Sequence, residues 1–163
     1  MPQCGMTIKI DALDSALLAE LASDPRAPIL ELAQRLGIAR NTVQARMKRL
    51  EAAGVVVGYP PSIDLQAIGF AVHALLGIEL DQNKMDAIVA ALREFPHVLE
   101  VHATTGRSDL LVRIAAETQQ DLLEIIQRVH AIPGVKHTET MLALATPIPY
   151  RALPLVEYLT GRQ

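Results

Sequence analysis

Apolar residues change their period on either side of residues 58–69, and this change constrains the chain more than any other feature. Before it, Leu13, Leu17, Leu18 and Leu21 recur every three or four residues; after it, Phe70, Val72, Ala74, Leu76, Ile78 and Leu80 recur every second residue. The first spacing lines one side of a helix and the second one side of a strand, so the chain joins a helical part to a part containing a sheet. Gly58, Pro60, Pro61 and Gly69 mark the seam. Glycine and proline at that density end regular structure, which predicts a turn and linker there.

At 163 residues, two small domains fit. Half the residues are hydrophobic and 20% are charged, which excludes a disordered chain. Only 3% are aromatic and Trp is absent, so any core is built from Leu, Ile, Val and Ala. No apolar run reaches the ~18 residues of a membrane helix, and the start lacks a secretory signal pattern. The expected partners exclude a membrane, and the expected location is the cytoplasm. The single cysteine, Cys4, has no partner for an intramolecular disulfide and sits in a short tail, which makes it a poor catalytic thiol.

Before the seam three helices are expected. The first carries the Leu13 to Leu21 stripe, with Asp14 as N-cap and Pro25 closing it. The second begins near Pro28, buries Leu32, Ala33 and Leu36, and stops at Gly37. After a tight turn at residues 38–40, the third begins near Asn41 with Gln44 as a capping-box partner. It carries Val43, Met47 and Leu50 and ends at Gly54. So short a turn between the second and third helices is the helix-turn-helix arrangement. Val55, Val56 and Val57, followed by Gly58 and Ile63, predict a small hairpin or wing.

After the seam the order is strand, helix, strand, strand, helix, strand. Leu99, Val101 and Ala103 alternate as the buried side of a second strand, Leu110, Val112 and Ile114 as that of a third, and residues 135–145 form the last. An internal repeat supports this order. A shift of 37 residues carries Met85, Ile88, Val89, Leu92, Phe95, Pro96 and Val98 onto Leu122, Ile125, Ile126, Val129, Ile132, Pro133 and Val135. Two helix-then-strand units, each with a proline ending the helix, fit a ferredoxin-like βαββαβ sandwich. The expected fold is α+β: a winged helix-turn-helix at 1–58, a linker at 59–69, a ferredoxin-like domain at 70–146, and a tail at 147–163. In that tail Leu155, Val156, Tyr158 and Leu159 suggest a short docking helix.

Charge adds a function. The chain has 15 Lys and Arg against 18 Asp and Glu, a net −3. That balance excludes a protein that coats nucleic acid by charge alone. Yet residues 35–49 hold Arg35, Arg40, Arg46, Lys48 and Arg49 and no acid. With Val43, Met47 and Leu50 on the core side, the third helix presents Asn41, Gln44, Ala45 and Lys48 outward. Asn and Gln hydrogen-bond base edges, and Lys and Arg neutralise phosphates or contact guanine, which points to a helix lying in the major groove of duplex DNA. The candidate contacts are Arg40, Asn41, Thr42, Gln44, Arg46, Lys48 and Arg49, with Arg46 and Arg49 for phosphates or packing beside them. Tyr59 is the candidate on the wing.

Several of these pieces occur together in order. Leu13-Asp14 with Leu17-Leu18 and Leu21 comes first, then Leu32-Ala33 with Leu36-Gly37. Val43, Arg46, Leu50-Glu51, Gly54-Val55-Val56 and Gly58-Tyr59 follow. Next are Ile63-Asp64 with Ile68-Gly69, Thr105-Gly106 with Asp109-Leu110-Leu111, and Pro133-Gly134-Val135. The set resembles the leucine-responsive/AsnC family of "feast/famine" transcription regulators from about Leu13 to Thr146. The resemblance implies a winged helix-turn-helix joined to a ferredoxin-like ligand-sensing domain. It also implies homodimers built through the second domain, often assembled into an octamer, and control by a small effector, usually an amino acid, bound between subunits. The chain departs from the family at Ala39, where Ser is common, and in its prolines at 60, 61, 147, 149 and 154.

Residues 104–109, Thr-Thr-Gly-Arg-Ser-Asp, lie between the second and third strands. By chemistry alone this reads first as an ordinary hairpin turn, with Gly106 giving the turn and Asp109 bonding its own backbone. The same residues also suit a ligand loop, whose amides receive a carboxylate while Asp109 pairs with an amino group. The resemblance favours the second reading and makes Thr104, Thr105, Gly106, Arg107 and Asp109 the candidate effector residues, with Thr138 and Thr140 as lesser ones. No cofactor beyond that effector is expected.

His73, His102 and His137 fall opposite the buried side of their strands. Three imidazoles on one sheet face suit zinc, but the same face suits a second subunit better, so no metal is expected. No nucleophile with a base, phosphate-cradling glycine loop or paired carboxylates is legible, so no enzyme is expected. Two alternatives stand beside DNA binding. One is a stand-alone amino-acid sensor that uses its helical domain on proteins, which the basic run opposes. The other is a sirohaem decarboxylase-like enzyme of the same architecture, whose characteristic Asn-x-Trp this chain lacks.

Overall fold

The computed structural model describes residues 8–161. Cys4 lies outside them. The chain separates into two compact units: one runs to Pro61 and resumes at Pro149, and the other is Ser62–Ile148.

The first unit contains α1 (Ala12–Ser23), α2 (Ile29–Leu36) and α3 (Arg40–Ala52), and takes in the chain's last helix, α6 (Leu153–Gly161). Asp11, not Asp14, is the N-cap of α1. Its carboxylate accepts the Asp14 N–H at 2.8 Å, while the Asp14 carboxylate accepts the Asp11 N–H at 3.0 Å. Two acids three residues apart close a reciprocal capping box, which starts the helix earlier than a single cap at Asp14 would. Pro28 caps α2 from outside its first turn, and Gly37 ends it with φ of 64°, a conformation glycine adopts at no steric cost. The expected Asn41–Gln44 capping box does not form: α3 begins at Arg40 after Ala39, so Asn41 is already helical, and no side chain caps the helix. The departure at Ala39 thus leaves the first turn of α3 without a side-chain cap.

Leu17, Leu21, Leu32, Ala33, Val43 and Leu50 form the buried core of this unit. After α3 the Val55 and Val56 N–H groups bond the Leu50 carbonyl, and Val57 is 93% exposed. The expected wing hairpin is absent among the described residues: the segment runs without strand pairing. Pro60 and Pro61, which have no N–H to give a ladder, account for that. The tail helix α6 packs against α1. Its half-buried residues are Leu153, Val156 and Thr160, whereas Leu155, Tyr158 and Leu159 are exposed, so of the four expected docking residues only Val156 faces inward.

The second unit contains β1 (Val72–Leu80), α4 (Met85–Arg93), β2 (Val98–Ala103), β3 (Leu110–Ala116), α5 (Gln119–His130) and β4 (Val135–Leu142). The strands form one antiparallel sheet in the order β2-β3-β1-β4. Ala74, Leu76, Ile78 and Leu80 of β1 and Leu110, Val112, Ile114 and Ala116 of β3 bury against Ile88 and Leu92 of α4 and Leu122, Ile125 and Val129 of α5. The 37-residue repeat reappears in the turns: Val98 N–H bonds Phe95 O after α4, as Val135 N–H bonds Ile132 O after α5. One register differs from expectation. β2 shifts between Val98 and Glu100, so Val98 and Val101 pack toward the helices while Leu99 and Ala103 are exposed. The irregularity breaks the two-residue alternation on which the sequence reading rested.

Candidate nucleic-acid interface and effector loop

The core side of α3 is fixed by Val43 and Leu50, both fully buried. That leaves Arg40, Asn41, Thr42, Gln44, Ala45, Lys48 and Arg49 exposed. Concavities flank the helix on both sides: one of about 490 Å³ lined by Asn41, Thr42, Ala45, Arg46 and Arg49, and one of about 390 Å³ lined by Ile29, Gln44, Met47, Lys48 and Glu51. The helix thus presents a continuous exposed edge, as a groove-reading helix must.

The five cations of the basic run are not equivalent. Arg35 pairs with Glu20 at 3.0 Å, Glu31 at 2.5 Å and Asp24 at 3.5 Å. These carboxylates raise the already high pKa of its guanidinium, the Glu20 hydrogen bond most of all. Arg46 reaches back to the start of α1, where Nη1 donates to Asp11 at 2.7 Å and to Asp14 at 2.7 Å. Arg49 Nη2 donates to the other oxygen of Asp14. Asp14 is fully buried, so its carboxylate is held by these two guanidiniums and the Asp11 N–H. The Arg46 hydrogen bond is the main reason the Asp11 carboxyl lies below its ordinary value of 3.8. Among the described residues, Arg40 and Lys48 have no carboxylate partner, and Asn41 and Gln44 spend no side-chain hydrogen bond on the protein. Tyr59, expected on the wing, donates its hydroxyl to Glu51 of α3 at 2.9 Å. Burial and that carboxylate push its pKa up to about 12.

In the second unit Gly106 has φ of 115°, and Thr104, Thr105, Gly106 and Arg107 are exposed. Thr104 Oγ1 and N–H close the loop on Ser108 O and Asp109 O. The Asp109 carboxylate accepts the Leu80 N–H at 2.8 Å and the Gln82 side-chain amide at 2.5 Å. It thus ties the loop to the end of β1 rather than bonding its own turn.

The loop reaches the helix-free face of the sheet. Arg107 meets Glu79 at 3.5 Å, and a Cβ on Gly77 would lie 2.6 Å from Ser108 Oγ. Gly77 is therefore the residue that admits the loop, a role its place inside an apolar strand signals only through the missing side chain. Thr138 and Thr140 stand opposite Ile78 and Leu76, whose side chains face the helices, and Thr138 Oγ1 lies 3.5 Å from His130 Nδ1 of α5. The structure does not bring these two threonines together with Arg107 and Ser108.

On the same open face lie Leu75, Leu111 and Met141, ringed by Arg113, Glu79 and Glu139. Of the histidines, His73 bonds Phe70 O, His102 pairs with Glu100, and His137 stands opposite Glu79. Among the described residues no group of three or more His, Cys, Asp or Glu is placed to hold a metal. No described helix is long and apolar enough to cross a membrane.

Residues 10–57 match the family described as "Winged helix-turn-helix DNA-binding", and residues 73–153 match "Lrp/AsnC ligand binding domain". Fold and site thus define a helix-turn-helix transcriptional regulator with an attached ligand-binding domain. The chain is 31% identical to the HTH-type transcriptional regulator LrpA of Mycobacterium tuberculosis, over 84% of this chain and 92% of that one. It is 29% identical to regulator FL11 of Pyrococcus horikoshii, over 92% and 99%. The structure of E. coli AsnC is similar at 26% identity and a TM-score of 0.83, covering 90% of this chain and all of that one. A feast or famine regulatory protein from M. tuberculosis complexed with L-methionine has 31% identity and a TM-score of 0.79, over 88% and 98%. The chain belongs to the Lrp/AsnC family of transcriptional regulators.

Proposed function

We propose that each subunit reads the DNA major groove with Arg40, Asn41, Gln44 and Lys48 of α3, and that an amino acid bound at the loop of residues 104–109 modulates that binding. The observation that carries the first half is the outer edge of α3. Its two amides and two cations are exposed and, among the described residues, make no internal hydrogen bond or ion pair, so their donors and acceptors are open to bases and phosphates. Thr42 sits one step round the helix, beside the backbone.

The second half is supported by the exposed loop with its left-handed glycine and by the L-methionine named for the M. tuberculosis relative. The open sheet face, with an apolar centre at Leu75, Leu111 and Met141 and a charged rim, suits a second copy of the chain, so the working form is a homodimer that assembles further, up to an octamer. A dimer presents two α3 helices, and its sites are near-palindromes with half-sites a whole number of helical turns apart. An effector shifts DNA affinity by binding one assembly geometry better than another. The relatives are named regulators, and this reading gives the chain no reaction to catalyse.

A thermal-shift screen of the full chain against the twenty amino acids identifies the effector. Calorimetry on Asp109→Asn then tests the loop: the variant keeps the shape of the carboxylate, loses its charge, and is expected to bind that amino acid at least about tenfold more weakly, as loss of a charged hydrogen bond implies. Unchanged affinity in the variant would sink the loop assignment.

A further inference from the structure

The geometry points to Arg46 and Arg49 as positioning residues that clamp α3 to the start of α1 through Asp11 and Asp14, leaving Arg40 and Lys48 as the phosphate-neutralising cations of the basic run. This rests on the assignment of α3 to the groove. A fully buried carboxylate is costly unless opposite charge and hydrogen bonds surround it. Asp14 is fully buried, and two guanidiniums from α3, 32 and 35 residues further on, meet its two oxygens. Asp11 adds a second carboxylate on Arg46, bonded through both of its oxygens, and the capping box locks the two acids to each other. Each arginine reaches the acids through one terminal nitrogen, Nη1 of Arg46 and Nη2 of Arg49, and the opposite charges make these bonds strong ones. Only 24% of the Arg46 side chain is exposed, and its charge is matched by two carboxylates.

Rotation of α3 about its own axis would break these bonds, so they fix which side chains face outward. A small core of six buried residues leaves the register of such a helix to specific polar contacts. Arg35 is likewise held by three carboxylates. Three of the five cations are therefore paired with carboxylates of the protein. The electrostatic footprint on DNA is two charges per subunit and not five.

The test uses the full chain, a duplex selected from a random pool by the wild type, and an unrelated duplex of equal length. Affinity is measured against salt, and melting temperature on the same samples. Lys48→Ala and Arg40→Ala are expected to reduce the slope of log K against log salt by about one unit per subunit each, with melting unchanged. Arg46→Met is expected to leave the slope as it is, to lower melting by about 10 °C, and to cut the preference for the selected duplex by about tenfold, because methionine keeps an unbranched stem but takes the charge away from the buried carboxylate. A phosphate contact would instead lower the slope by about one unit per subunit and spare melting, so that result for Arg46→Met would overturn the clamp.

Asp11→Asn guards against an unfolded Arg46 variant. Asp14 still holds both arginines there, which keeps the fold, while Arg46 loses its bonds to the Asp11 carboxylate, so the preference is expected to fall with the slope unchanged; wild-type preference in this variant would also overturn the proposal. If the Lys48→Ala slope stays at the wild-type value, the groove assignment falls, and the melting of Arg46→Met still decides the clamp.

Discussion

The two units hold their parts in place by different means. The sheet unit buries thirteen residues in its core, all of them apolar, and its helices lie on that core with Arg128 of α5 over the Phe95 ring beyond α4. The helical unit buries six apolar residues, and it also holds the described buried polar side chains, Asp14 and Ser15. A broad sheet offers a surface on which apolar side chains interdigitate in one register. Three short helices around six residues offer less, and the capping acids of α1 supply direction through their hold on Arg46 and Arg49. The difference suits the two tasks. On the proposed function, a platform for subunit contact and an effector loop needs rigidity over an area, whereas a reading helix needs one orientation.

The largest test of that contrast truncates the sheet core. Leu76→Ala, at a fully buried position between β3 and β4, is expected to destabilise the second unit by about 3 kcal/mol in chemical denaturation. A loss below about 1 kcal/mol would mean that apolar packing does not dominate there. A smaller effect separates the units by pH. The Asp11 carboxyl is held below its ordinary value of 3.8, first by the Arg46 hydrogen bond and then by the Asp14 N–H. A depressed carboxyl stabilises fully above its ordinary value, and that contribution is lost as pH falls through the lower folded value. The helical unit is thus expected to weaken as the solution is taken below about pH 4. Replacing Arg46 by Met should flatten this part of the profile. Far-UV circular dichroism melts at neutral pH and near pH 3 check it, and parallel profiles for wild type and variant would remove Asp11 from the account.

What could be read from the sequence was local. Gly37 stopped α2 because glycine alone adopts that backbone cheaply, and Pro96 and Pro133 closed α4 and α5 where the repeat placed them. The period of two in β1 and β3 survived because both strands are central in the sheet. Edge strand β2 did not follow it, since its register shift depends on how it meets β3. The hairpin expected after α3 failed for a similar reason: three valines favour a strand, but pairing needs a partner that Pro60 and Pro61 do not supply. On α3 the outward residues were legible from Val43, Met47 and Leu50. The partners of Arg46 and Arg49 were not, because they lie more than 30 residues away and only the folded helices bring them together. The spacing of Asp11 and Asp14 carried the one available signal, a capping box, and says nothing of arginines. Gly77 and Gln82, which seat the loop of residues 104–109, were hidden likewise by contacts across strands.

The central claim is that the outer edge of α3 reads base sequence. Equilibrium binding of the full chain to a duplex enriched from a random pool tests it most directly, with Asn41→Ala and Gln44→Ala compared on that duplex and on an unrelated one. Each variant is expected to lose about tenfold or more on the enriched duplex and little on the unrelated one, as loss of a base-edge contact implies. Wild-type affinity of both variants for the enriched duplex would contradict the account.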